Sequence, residues 1–509
     1  MLARLATTAL VGLVAHPVGV EVDIGRGLPA VTVVGLGDTA VLQARDRIRA
    51  AFGNAGFAWP DRRVTVSLPP SDLPKHGPGF DLPIAIGLLA AAGSVPFAPL
   101  DGLWAVGELG LGGDVRGVRG VLAAALAARS AGARLLVVPR SNLGEAALVP
   151  GLRVAGAASL TQVGQWLSGN AELDRPEPGH TRTAPSPPVE DLADVHGQAP
   201  ARRALEIAAA GGHNLLLIGP PGSGKTMLAR RLPGLLPPLT RDEALEVTQA
   251  FSAAGLLQPD APLITTRPFR APHHSTSVAG LVGGGRIPQP GEVSLANHGV
   301  LFLDELLEFS RAACEALRQP LEDGEVTVVR AAGSARFPAH FTLMAAANPC
   351  PCGYLGDPRR ACRCNPGDLY RYARRLSGPL LDRIDLYVQA ERVTAEELAG
   401  SQAGESTGIV QARIRRARAI QHARGGMDNA RLRVAELLPQ CQPTVAARRT
   451  LAAAVDRLGL TARGFHRSLR VARTVADLAR DDRVDVHHVR EALSMRHVPL
   501  SPDGHSGAV

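Results

Sequence analysis

Lys225 stands in the string Gly219-Pro220-Pro221-Gly222-Ser223-Gly224-Lys225-Thr226, and it is one of two lysines among the 55 lysines and arginines of the chain. Arginine is a planar fork, whereas lysine is a compact point charge on a flexible stem. A position that keeps lysine where nearly every other basic residue is arginine is one whose chemistry needs the point charge. The string fits G-x-x-x-x-G-K-[ST], in which glycine N–H groups cradle phosphates, the lysine reaches the terminal ones and the hydroxyl binds Mg2+. It implies binding of ATP with Mg2+.

Three further segments carry side chains that would complete such a site. Val300 to Leu303 reads as a buried strand that ends in Asp304 and Glu305. Asp304 would hold Mg2+ through water and Glu305 would polarise the attacking water. Thr342 to Ala347 reads as a strand ending on Asn348, whose amide can orient the same water; alone, an asparagine before Pro349 is more often a turn residue. Arg383 lies between Asp382 and Asp385, either as a finger reaching a neighbouring subunit's γ-phosphate or as a member of a local salt bridge.

Cys350, Cys352, Cys362 and Cys364 bring four of the six cysteines together. Four thiolates form a tetrahedral zinc set with no open position, which suits a structural clip; reduced buried thiols are the competing reading. Cys314 and Cys441 read as packing residues. His273 and His274 are adjacent, and neighbouring side chains of one segment rarely converge on a single ion, so polar loop contacts are expected of them.

The elements that must position these residues follow from pattern. The chain of 509 residues exceeds one core and suggests about three units. Residues 1–170 alternate short apolar runs with helical stretches at Ala40 to Phe52, Ile84 to Ala92 and Val121 to Ala131, an α/β pattern. Residues 171–188 have a linker's composition, rich in proline and polar side chains. Residues 189–392 form a second α/β unit around the phosphate loop, and 393–500 read as helices at 410–423, 444–458, 464–480 and 486–495, with 501–509 as a tail. Glu325 to Phe337 reads as a hairpin with its tip at Gly333-Ser334 and Arg330 and Arg336 beside it, gripping phosphates or merely solvated. A formal charge of +8 is compatible with an anionic partner. No 18-residue apolar window and no signal-peptide pattern occur, so a cytoplasmic protein without a membrane span is expected.

In this order the phosphate loop, Asp304-Glu305, Asn348 and Arg383 resemble the AAA+ ATPases. Phe269 to Gly285, between the loop and Asp304, resembles the Mg-chelatase-type insert. The whole order is similar to the YifB or ComM family of Mg-chelatase-like ATPases, from about residue 1 to 500. That resemblance implies an α/β fold: an N-terminal domain like that of Lon proteases (ribosomal S5 domain 2-like), a central AAA+ P-loop domain and a C-terminal helical lid. It places a second sensor arginine at Arg463, with Arg467 and Arg470 as alternatives. Gly79 and Leu122 stand where the Lon-type serine and lysine would be, so peptide cleavage is not expected. Lys75, the other lysine, either touches phosphate or caps a loop.

The resemblance further implies a homo-oligomer, a hexameric ring, acting on single-stranded or branched DNA, with the hairpin in the central pore. Its activity would be helicase-driven branch migration during natural transformation. Two other classes compete. One is a chelatase motor acting on a tetrapyrrole, expected to lack the Lon-like domain; the other is a non-proteolytic remodelling ATPase.

Overall fold

The computed structural model describes residues 2–35, 37–176, 190–258, 262–330, 333–375, 378–393 and 404–496. Alternating burial along Leu2–Val11 (β1) and Val14–Gly25 (β2) makes the N-terminal stretch a long antiparallel hairpin, paired from Leu2↔Asp23 to Val11↔Val14. Its two-residue turn needs Gly12, which sits at φ +63°. Strands β3 (Ala30–Val34), β4 (Arg63–Ser67), β5 (Leu103–Ala105), β8 (Leu135–Pro139) and β9 (Val154–Ala157) extend it into a seven-stranded sheet, β3-β4-β2-β1-β5-β8-β9. A short ribbon of β6 (Glu108–Leu109) and β7 (Val115–Arg116) stands apart.

Helix Asp81–Ala91 packs on β1 and β2, with every residue buried. A helix without a polar face must lie inside, and its one charge, Asp81, is neutralised by Arg47 at 2.7 and 2.8 Å. Lys75 is also buried, with Nζ donating to the Pro70 carbonyl, so it ties a loop. Gly79 lies in the turn before Asp81, and Leu122 is buried in helix Val121–Ser130.

Strands β10 (Leu215–Ile218), β11 (Phe269–Arg270), β12 (Val300–Leu303), β15 (Thr342–Ala347) and β16 (Leu386–Gln389) form a second, wholly parallel sheet in the order β11-β12-β15-β10-β16. Strands β10, β12 and β15 are buried throughout, as continuous apolar runs covered on both faces require. Parallel register sends the ends of these three strands to one edge, the usual place for a ligand crevice in such sheets.

Beyond it, the described residues 404–496 contain no strand. Helices Thr407–Gly425, Val445–Leu458, Ala462–Ala479 and Val486–Ser494 match the expected stretches, the last three capped by Thr444, Thr461 and Asp485. Helix Val434–Cys441 is missed by sequence reading because Pro439 lies inside it; Leu437 and Cys441 bury its inner face. Asp477 anchors the bundle, accepting from Arg424, Arg473 and Asn429. The bundle docks on the sheet through Arg467 Nη1 to Asp385 Oδ1 at 2.7 Å and the His213–Thr474 hydrogen bond at 2.7 Å.

Two expectations are corrected. Residues 171–176 belong to the first unit: Asp174 exchanges backbone hydrogen bonds with Gly156 at 2.8 and 3.0 Å and pairs with Arg140, while 177–188 lie outside the described residues. In the hairpin β13 (Glu325–Arg330) and β14 (Gly333–Pro338), Arg330 pairs with Gly333 and Val329 with Ser334, so Gly333 and Ser334 are strand residues and not the tip. Residues 331–332 lie outside the described residues. The β-branched run Val326 to Val329 carries the strand as far as Arg330, and its pairing takes Gly333 and Ser334 into the opposite strand.

Candidate functional site

Ile218 ends β10, and Gly219 turns the chain so tightly that a Cβ there would stand 2.2 Å from the Ala390 carbonyl oxygen. Gly222 at φ +77° and Gly224 at φ +83° carry the loop into helix Lys225–Leu235. The Lys225 ammonium folds back on the loop, donating to the carbonyls of Gly219 at 2.7 Å and Pro220 at 2.9 Å and to Asn348 Oδ1 at 3.3 Å. Burial pushes it below the ordinary lysine value, against Asp304 and Glu305, which raise it. Ser223 Oγ is buried without a hydrogen-bond partner. A glycine cradle, a buried ammonium resting on carbonyls and an orphaned hydroxyl fit a phosphate group.

Thr226 Oγ1 donates to Asp304 Oδ2 at 2.7 Å, across the gap between helix and β12. A hydroxyl and a carboxylate at that spacing suit an octahedral Mg2+ bound partly through water. Glu305 follows in the left-handed region at φ +52°, its N–H held by Asp304 Oδ1 at 3.0 Å. That is a costly conformation for glutamate and places its half-exposed carboxylate within 3.5 Å of His274 Nδ1. Sequence alone points His274 only to loop contacts; the signal that could have found it is its place directly after the strand next to β12. His273 turns instead to Ser275 Oγ at 2.8 Å, so the pair shares no ligand.

Asn348 and the cysteine loop adjoin the phosphate loop. Tyr372 Oη donates to the Asn348 carbonyl at 3.2 Å. The Sγ atoms of Cys350, Cys352, Cys362 and Cys364 all lie within 4.8 Å of one another. Burial raises the Cys352 thiol, but the N–H groups of Arg363 and Tyr354 outweigh it and bring it down to about 6. Gly353, at φ +83°, lies against Pro221: a Cβ there would meet Pro221 Cδ at 2.6 Å.

Arg383 lies elsewhere. Residues 383–385 precede β16 and Asn214 precedes β10, so they sit at the edge of the sheet opposite the phosphate loop. A four-residue strand separates the edges by about 13 Å. There Arg383 is buried, pairing with Glu322 and donating to the Pro379 carbonyl at 2.7 Å. It shares a cavity of about 530 Å³ with Arg463, Arg467 and Arg470. Glu322 thus takes the place of the expected salt-bridge partners Asp382 and Asp385, and Asp385 is engaged by Arg467 and His213.

Arg330 and Arg336 do not form one patch. Residues directly opposite in the hairpin share a face: Val326, Phe337, Val328 and Ala335 bury one side against Leu13, with Arg330 at its end. Arg336 stands on the other, exposed face opposite Thr327, 3.8 Å from Glu325.

Comparison with known proteins agrees across the chain. Residues 191–398 match the family described as magnesium chelatase, subunit ChlI; 404–496 match the subunit ChlI C-terminal family, and 20–142 match subunit ChlI of Mg-chelatase. The chain is 49% identical over 502 residues to an uncharacterized protein of Mycobacterium tuberculosis, covering 97% of this chain and 98% of that protein. It is 44% identical over 506 residues to the competence protein ComM of Haemophilus influenzae, covering 97% of both. It is also 44% identical over 498 residues to YifB of Escherichia coli, covering 97% and 96%. With these matches spanning its length, the chain belongs to the YifB/ComM family of Mg-chelatase-like proteins.

Proposed function

We propose that the protein is an ATP-hydrolysing ring motor that acts on DNA, in the manner of a branch-migration helicase serving recombination in natural transformation. The observation that carries the ring is the separation of two half-sites on one sheet. Lys225, Thr226, Asp304, Glu305 and Asn348 gather at one edge, and the arginine cavity lies at the other. Arginines at the far edge reach a γ-phosphate only when a second copy is stacked head to tail, the heterologous contact that closes into rings. Six copies is the family expectation.

ATP with Mg2+ supplies a phosphoryl group that is transferred to water. Lys225 and the loop N–H groups of Gly219 to Thr226 bind its phosphates, Thr226 and Asp304 hold Mg2+, Glu305 accepts the water's proton and Asn348 orients that water. Arg383 of the next copy neutralises the charge that develops, once it leaves Glu322. Among the lid arginines, Arg463 is the sensor this reading favours. It is exposed and has no hydrogen bond or ion pair among the described residues, whereas Arg467 is paired with Asp385 and Arg470 with the Leu432 carbonyl. Zn2+ suits the four-cysteine set, and Gly79 and Leu122 leave the first domain without a protease dyad.

DNA is supported by the relative named competence protein ComM and by the exposed Arg336. A second reading, a chelatase motor, draws on the Mg-chelatase descriptions of all three families. One of them covers residues 20–142, so the N-terminal region does not count against that class as the sequence suggested. No helix among the described residues is long and apolar enough to cross a membrane. ATP turnover with and without single-stranded and forked DNA separates the two: stimulation and binding are expected, and their absence at moderate salt rejects the motor on DNA.

A further inference from the structure

We infer that Cys350, Cys352, Cys362 and Cys364 hold one Zn2+ and that this ion braces the nucleotide site by fixing the loop that lies on Pro221. Zinc–thiolate bonds of about 2.3 Å in a tetrahedron set sulfur–sulfur separations near 3.8 Å. Here Cys350–Cys352 is 3.4 Å, Cys350–Cys362 is 3.7 Å and Cys352–Cys362 is 3.6 Å, with Cys364 in the same group. Those edges surround a single ion; a polynuclear iron–sulfur cluster would hold the sulfurs farther apart. Two of the sulfurs also accept backbone hydrogen bonds: Leu355 N–H donates to Cys350 Sγ at 3.3 Å and Cys364 N–H to Cys362 Sγ at 3.5 Å. N–H groups aimed at sulfur favour thiolate over thiol and form the outer shell such a site needs. Four thiolates around one divalent ion leave a net charge of −2, and the exposed Arg359, Arg360 and Arg363 lie in the same loop to offset it. On binding, the four Sγ–H protons are released and four Zn–S bonds form.

The site also has a mechanical place. Cys350 is fully buried two residues after Asn348, the residue whose amide accepts from Lys225. Gly353, one residue after Cys352, touches Pro221 of the phosphate loop, and its positive φ leaves no room for a side chain. Farther on, Asp357 pairs with Arg392 at 3.1 Å, just beyond β16. The loop therefore spans the ends of β15, β10 and β16, and a metal at its base holds together what three strands deliver separately. Only this bracing rests on the ATP-site reading; the metal site stands without it.

The experiment uses full-length protein purified without chelator. Elemental analysis is expected to find about one zinc per chain that survives dialysis against EDTA. The Cys352→Ser/Cys362→Ser variant should lose it, and stripping zinc from folded wild-type protein with a mercurial, circular dichroism confirming the fold, covers the case where that variant does not fold. Zinc loss should weaken binding of a fluorescent ATP analogue by about tenfold, and Gly353→Ala should do the same with zinc retained. Zinc-free folded protein with four reactive thiols, or iron in place of zinc, overturns the site. Zinc removal that leaves the analogue's affinity unchanged overturns the bracing. Lys225→Ala should keep its zinc while losing the analogue; if wild-type protein holds zinc but never binds the analogue, the ATP reading fails and the metal site stands.

Discussion

His274 Nδ1 lies 3.5 Å from Glu305 Oε2, and the two residues follow neighbouring parallel strands, β11 and β12. The chain that leaves His274 runs to Gly283 and Gly284, which lie against Val328 and Arg330 of the hairpin. A displaced hairpin would thus pull on the segment that holds the Glu305 carboxylate. His274→Ala is expected to bind the ATP analogue as before and to lose the stimulation of turnover by DNA. A stimulation ratio equal to that of the parent would separate His274 from the hydrolytic cycle.

Lys225 is committed to two loop carbonyls and Asn348, so its removal leaves the cradle without its charge. Lys225→Ala should lower ATP turnover by about 10²-fold or more, with no measurable binding of the analogue by fluorescence. Unchanged turnover would sink the assignment of the loop.

Arg383 and Lys225 occupy opposite sheet edges, which makes the two lesions complementary in an assembly. Arg383→Ala should bind nucleotide normally and lose about 10³-fold in turnover. Mixed with Lys225→Ala subunits it should regain part of the activity, because some interfaces then pair an intact loop with an intact arginine. No recovery in mixed, assembled protein would argue that Arg383 acts within its own chain, or only through Glu322.

Arg336 projects from the exposed face of the hairpin, whereas Arg330 ends the packed one. Arg336→Ala should weaken DNA binding uniformly across sequences and reduce the slope of log K against log salt by about 1. Titration at several salt concentrations reads this, and an unchanged slope would remove Arg336 from the contact.

Asp385 is buried, and burial alone would raise its carboxyl, but Arg467 and His213 outweigh that and hold it below the ordinary carboxylate range. A carboxyl depressed in the folded state adds stability that is complete above its unfolded value, near pH 4, and lost as pH falls further. Asp385→Asn should cost about 3 kcal/mol at neutral pH by breaking a buried pair, and less in acid. Denaturant melts at pH 7 and pH 3 measure both; equal losses at the two values would contradict the sign.

Regular elements and the phosphate loop were legible because each is a local pattern. Leu215–Ile218 is an unbroken apolar run, Gly222 and Gly224 permit left-handed turns, and Thr444, Thr461 and Asp485 announce helices by their side chains. Where local signals conflict, sequence misleads: Pro439 conceals helix Val434–Cys441, and the two small residues Gly333 and Ser334 read as a turn although they pair as strand residues. The linker composition of 171–176 gives no hint of Asp174 returning to Gly156, a pairing made across the fold.

By itself the sequence determined which chemistry is carried, since a point charge, a hydroxyl, two carboxylates and four thiols are properties of residue type and spacing. Tertiary structure alone decided where each group stands. Parallel register brings Lys225, Asp304 and Asn348 to one edge while sending Arg383 and Arg463 to the other, because residues before a strand and after it are separated by the strand's length. It also set His274 on Glu305 and Gly353 on Pro221, contacts between segments far apart in the chain that only packing can bring together.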